Sequence, residues 1–228
     1  GSLRLITEAS MMRMQFNDEM NRLHHDILAM GSRVEEDLRK ALIAFKTSDA
    51  ALVDEVKADD ELVNAMQMKI EDQAAMLIAT QQPVARDLRE LITIFKVTDN
   101  LERIGDHAVH LAKTAKRLSN DPYPRTLERL ELMAATGVAM LHDAVTAYLD
   151  QNEALAREAA ARDDQVDAEH NAFVREVLDY LTEHPDKAQQ ATKLIATSSF
   201  LERLGDHVTN LCEAVVFMVT GAHTELND

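Results

Sequence analysis

A seven-residue motif occurs twice in this chain, one hundred residues apart, and the repetition limits the fold more than any other feature. Leu101-Glu102-Arg103-Ile104-Gly105-Asp106-His107 returns as Leu201-Glu202-Arg203-Leu204-Gly205-Asp206-His207 with a single Ile/Leu exchange. Both copies lie among apolar residues at helical spacing: Val97, Leu101, Ile104, Ala108 and Leu111, then Leu201, Leu204, Val208, Leu211 and Val215. Residues four apart stack on one face of a helix, so each copy sets a Glu over an Asp, roughly opposite the apolar seam. Stacked like charges weaken a helix slightly, and a mid-helix Gly costs about 1 kcal/mol relative to Ala. A chain that carries both costs at matching places uses them, and a hard cation seeking oxygen ligands is the simplest use.

The remaining punctuation divides the chain into helices. Pro83, Pro122, Pro124 and Pro185 are the only prolines, and each ends or begins a helix. Thr47-Ser48-Asp49 and Asp150-Gln151-Asn152 supply turn and cap chemistry at two further breaks. Six helical stretches follow, at about 14–46, 50–81, 84–118, 125–149, 153–182 and 187–220, with a linker at Asn120–Pro124. The halves also align outside the motif. Leu38, Ala41, Ala44, Phe45 and Leu52 match Leu141, Ala144, Ala147, Tyr148 and Leu155; Asp60 and Val63 match Asp163 and Val166. An ordered series of matches is the mark of duplication. The expected fold is all-α: two tandem three-helix bundles, spanning 14–118 and 125–221.

A short turn makes its flanking helices antiparallel, so the register across each hairpin follows from the turn's position. With one turn near Pro83, Asp106 lies level with Asp60, and Glu102 with Asn64. With the other near Pro185, Asp206 lies level with Asp163, and Glu202 with Asp167. Asp99 adds a carboxylate one turn before Glu102, where the second copy has Ser199; Glu55 and Asp59 are substitutes if the register slips. The candidate metal ligands are therefore Asp60, Asp99, Glu102 and Asp106 in one half, and Asp163, Asp167, Glu202 and Asp206 in the other. A lone acidic pair would be read as a solvated face, with Asp99 paired to Arg103. Duplication and the match across both hairpins favour divalent or ferric ions instead.

Other residues offer less. His107 and His207 project about 100° around the helix from the neighbouring Asp, as packing residues do. Gly105 and Gly205 suit close helix approach. Met11, Met12 and Met14 belong to the start of the first helix rather than to a copper site. Asp167-x-x-His170 is the only acidic-x-x-His spacing, whereas a ferritin-like di-iron oxidase uses Glu-x-x-His twice. A formal charge of −16 opposes nucleic-acid binding. One cysteine, Cys212, allows no disulfide framework. With neither an apolar run of about 18 residues nor a secretory signal, the reading is a cytoplasmic chain without a membrane span.

These residues resemble the PhoU family of phosphate-uptake regulators. Arg86-Asp87-Leu88-Arg89 leading into Asp99–Asp106 is similar to one family signature, and Leu201–Gly221 to the other. The resemblance runs from about Phe16 to Gly221. It implies two three-helix bundles, frequent homodimers, and iron or zinc at the acidic motifs. It implies negative regulation of phosphate-starvation genes, through the ATPase of the phosphate transporter and a phosphate-sensing histidine kinase, without catalysis. Ser199 opposite Asp99 and Asn64 opposite Asp167 depart from symmetry and make the two sites unequal. The rival readings are a metal-dependent phosphohydrolase, which holds ions about 4 Å apart, and an accessory protein of a secondary phosphate carrier.

Overall fold

The computed structural model describes residues 1–118 and 127–227; the expected linker at Asn120–Pro124 lies outside them. The described residues are helical, without strands, and form two bundles. The first comprises α1 (Ser2–Thr47), α2 (Ala50–Gln81) and α3 (Ala85–Leu118). In the second are α4 (Glu128–Asp150), α5 (Glu153–Ala161), α6 (Asp163–Glu183), a 3-10 turn at Pro185–Lys187, and α7 (Ala188–Thr220). The helix ends follow local chemistry. Asp49 accepts from the backbone N–H groups of Ala51 and Leu52 at 2.9 and 3.3 Å, and Asn152 accepts from Leu155 N–H at 3.1 Å. Gly221 closes α7 at φ +76°, donating to Phe217 O at 2.7 Å, as a left-handed C-terminal glycine does.

Two helix boundaries differ from the sequence reading. The stretch expected as one helix over 153–182 breaks at Arg162. Arg162 is drawn to Asp143 on α4 at 2.8 Å, and the next residue, Asp163, turns inward as the first residue of α6. The first bundle bridges the equivalent positions with opposite polarity, Lys40 to Asp59 at 3.1 Å, and α2 runs through unbroken. The first helix also starts at Ser2 rather than near 14. Met11, Met12 and Met14 therefore sit inside α1, and all three are exposed.

The core follows the helical seams. On α1 the stripe Phe16, Met20, Leu23, Ile27, Met30, Val34, Leu38, Ala41 and Phe45 is buried at spacings of three and four. One helix, α4, is long and apolar enough to cross a membrane, with mean hydropathy 1.3. Half of its most apolar stretch is buried, and it packs on α1, α5, α6 and α7 as a core helix.

The bundles meet along two helix pairs, and each pair joins a helix to its own repeat. On the α1–α4 side, Gly31 meets Val145, Glu35 meets His142, and Lys46 meets Glu131. On the α3–α7 side, Lys96 lies over Phe217, His107 stacks on His207, and His110 stacks on Phe200. In both sets the numbers rise on one helix as they fall on the other, so both pairs are antiparallel. The halves are thus related by an approximate twofold axis near His107 and His207.

Candidate metal centre

Each bundle gathers its motif carboxylates at the hairpin formed by its second and third arms. In the first bundle, Glu102 and Asp106 stack on α3, and Asp60 reaches Asp106 from α2. Asp106 lies close enough to both Asp60 and Glu102 to raise the two of them. In the second, one carboxylate oxygen from each of Asp163, Asp167 and Asp206 lies within 4.8 Å of the others. Glu202 lies beside both Asp206 and Asp167, which raise it. Of the four cross-hairpin pairs expected from the register, Asp60/Asp106, Asp163/Asp206 and Asp167/Glu202 are therefore in place. Asn64 is exposed. Asp99 is turned to Arg103 at 3.2 Å, although its charge still acts on Glu102. The substitutes Glu55 and Asp59 belong elsewhere, bound to Lys40 at 2.8 and 3.1 Å.

Electrostatically, both clusters resist ionisation. Burial first, then Asp106, pushes Asp60 up to about 6 and Glu102 up to about 7. Burial and the charges of Asp167 and Asp206 push Asp163 up to about 7. Glu202 rises to about 7 for the same reasons, burial leading and Asp206 next, and Asp167 is also raised by burial and Asp206. Among the described residues, Asp60 Oδ1, Asp163 Oδ1 and Asp167 Oδ1 are buried without a hydrogen-bond partner. Asp163 is only 2 % exposed. Buried oxygens without donors are costly, and each belongs to a side chain that neighbouring carboxylates already repel. An all-oxygen donor set of this kind suits a hard cation, so Glu102, Asp106 and Asp60, and Asp163, Asp167, Glu202 and Asp206, are the residues that would hold one.

The motif glycines serve these carboxylates. A Cβ at Gly105 would stand 3.3 Å from Asp60 Oδ1, and one at Gly205 would overlap Asp163 Oδ1. What approaches each glycine is thus the facing Asp, and it approaches more closely in the second bundle, where the break at Arg162 lets α6 begin against α7. Gly105→Ala is expected to shift stability by no more than about 1 kcal/mol, since helix propensity offsets the crowding. Gly205→Ala is expected to cost about 1–3 kcal/mol through overpacking. Thermal unfolding of the two variants checks the difference, and equal costs would refute it.

The motif histidines face away from the carboxylates and meet each other. Their rings stack at 5.2 Å where α3 crosses α7. Burial, reinforced by His207, His110 and Arg203, lowers His107 to about 4; burial and Arg103 lower His207. Both are neutral packing groups at pH 7. His170 is also occupied outside the cluster, 2.6 Å from Ser198 Oγ. Beside the crossing, a cleft of about 610 Å³ is lined by Lys96, Asn100, Arg103, His207, Asn210 and Glu213. Sequence reasoning did not find this meeting of the two repeats.

Comparison with known proteins places this architecture. The PhoU domain profile matches the chain twice, over residues 27–115 and 130–215. A phosphate-specific transport system accessory protein PhoU homolog from Clostridium acetobutylicum is 35% identical over 219 residues, covering 96% of this chain and 100% of that protein. The corresponding Rhizobium meliloti homolog is 32% identical over 92% of this chain and 89% of its own length. Among solved structures, PhoU from Pseudomonas aeruginosa superposes with a TM-score of 0.87 at 32% identity, covering 91% of this chain and 100% of that one. The phosphate transport system regulatory protein PhoU from Streptococcus pneumoniae gives 0.85 at 29% identity, over 92% and 99%. With the profile matched in both bundles and the fold shared over 91% of its length, the chain belongs to the PhoU family.

Proposed function

We propose that this protein is a cytoplasmic, non-enzymatic regulator of phosphate uptake and phosphate-starvation signalling that binds metal ions at two carboxylate centres. The observation that carries the metal reading is the set of buried, donorless oxygens on Asp60, Asp163 and Asp167, on side chains that belong to clusters of further carboxylates. Iron or zinc is the expected ion. The regulatory reading is supported by the names of the relatives, accessory and regulatory proteins of phosphate transport systems. The transporter's ATPase and a phosphate-sensing histidine kinase are the expected partners, and a homodimer the expected assembly. A cation at each centre would tie α2 to α3, or α6 to α7, and reduce the local negative charge of the surface offered to a partner. A hydrolase would need cations free to grip phosphate, and Arg103 is committed to Asp99.

A phosphate-starvation reporter tests the regulation. In cells lacking this gene, with any paralogue also removed, the reporter is expected to switch on in abundant phosphate. The wild-type gene silences it again, whereas the gene carrying Asp106→Ala and Asp206→Ala does not. A reporter that stays silent in the deletion strain overturns the regulatory reading.

A further inference from the structure

The second centre is reached by a segment that follows the last helix. Beyond Gly221 the chain turns back along α7. His223 stacks on Phe217 at 4.2 Å, with the rings within 6° of parallel. Leu226 N–H donates to Glu213 Oε1 at 3.4 Å. This return delivers Asn227 to the second centre. Its amide nitrogen lies 3.1 Å from Asp163 Oδ2, 3.1 Å from Thr209 Oγ1 and 3.4 Å from the Ala160 carbonyl. One amide thus joins the end of α5, the start of α6 and the middle of α7.

The two oxygens of Asp163 are consequently in different states. Oδ2 accepts from Asn227, whereas Oδ1 is buried with no partner. A carboxylate that binds a cation through one oxygen needs its other oxygen held by a donor, because that bond fixes the rotamer and keeps the ligating lone pair aimed. Asn227 is neutral and donates through N–H, so it can do this without competing for the ion. In the first bundle the equivalent Asp60 has the same donorless Oδ1.

Resting on the metal reading above, we infer that Asn227 is a positioning residue for the second centre, holding Asp163 through Oδ2 so that its carboxylate keeps its place beside Asp167 and Asp206 for the cation. Loss of an outer-shell donor of this kind weakens metal binding about 10- to 100-fold. The same tail, through His223, Thr224 and Glu225, also walls the cleft between the bundles. It therefore links the second centre to the surface where the two repeats meet.

Calorimetric titration of the full chain with Zn²⁺ tests this, using Asp106→Ala as background so that only the second centre is read. Adding Asn227→Ala is expected to weaken Zn²⁺ binding about 10- to 100-fold. In the reciprocal background, Asp206→Ala, it should leave Zn²⁺ binding at the first centre unchanged. Thr209→Val, which removes the other anchor of the amide, is expected to weaken the second centre in the same direction by less. Melting of the metal-free variants separates positioning from folding: a purely structural Asn227 would lower the melting temperature and leave affinity alone. Unchanged or tighter binding in the Asn227→Ala chain overturns the inference while the metal reading stands. If the unsubstituted chain takes up no Zn²⁺, the metal reading falls and this inference falls with it.

Discussion

Protein carrying both Asp106→Ala and Asp206→Ala is expected to retain no tightly bound iron or zinc, whereas either single variant keeps the ions of the other bundle. Each Asp is the hub of its cluster. Asp106 contacts both Asp60 and Glu102, and Asp206 acts on Asp163, Asp167 and Glu202. Removing a direct ligand costs more than removing an outer-shell donor, so affinity at the altered centre should fall by more than about 100-fold. Elemental analysis after dialysis reads the content directly. A second readout has the opposite sign. Without a metal, the hub carboxylate repels its neighbours, so the double variant should melt at a higher temperature than the metal-free wild type. A general packing defect would lower both quantities. Undiminished metal content in the double variant would remove these residues from the ligand set.

Much of this geometry was legible in the sequence because helices carry their own ruler. The repeated Glu-x-x-x-Asp spacing defines one face, and the Pro83 and Pro185 turns define the register that brings Asp60 and Asp163 to that face. The pairing of Asp99 with Arg103 is likewise an i, i+4 relation that spacing alone makes available, and the structure shows it at 3.2 Å. What escaped depends on contacts between distant elements. The stacking of His107 on His207 follows from how the bundles cross, and nothing periodic in either half encodes it. The break at Arg162 arises from a tertiary ion pair to Asp143, inside a stretch whose helix propensity is uninterrupted.

Two missed residues differ in whether a signal was available. Asp37 stands beside the apolar seam of α1, between Val34 and Leu38, and a carboxylate at the edge of a core stripe is a visible anomaly. In the structure it is 1 % exposed and is pushed up to about 8 by burial and by its hydrogen bond to Asp59. Asn227 had no such signal. It lies 64 residues from Asp163 along the chain, and a single amide has neither period nor partner spacing to reveal it.

The metal-free protein is expected to be more stable at about pH 6.5 than at about pH 8, the reverse of most proteins that unfold in acid. In the unfolded chain Asp and Glu titrate near about 4. In the folded chain Asp60 is raised to about 6, Glu102, Asp163 and Glu202 to about 7, and Asp37 to about 8. Between these values the carboxylates hold more protons in the native state than in the unfolded one, so their contribution falls as pH rises, whereas His107 and His207, lowered by burial, oppose that slope below about pH 6.5. The favourable contribution is fully present below about pH 4 and is lost by about pH 7–8. Solvent reaches the cluster carboxylates, and after discounting for that screening the change is on the order of 1–2 kcal/mol. In a chain of this size that is about 2–8 °C in melting temperature. Bound cations should reverse the slope, because they replace the protons and bind more tightly as the carboxylates ionise. The variants then apportion the effect: Asp37→Asn should remove only the upper end of the slope, and Asp106→Ala with Asp206→Ala should flatten most of it. An equal pH slope in the metal-free wild type and in the Asp106→Ala, Asp206→Ala chain would show that the clusters ionise freely, and the electrostatic argument for a cation at either centre would lose its basis.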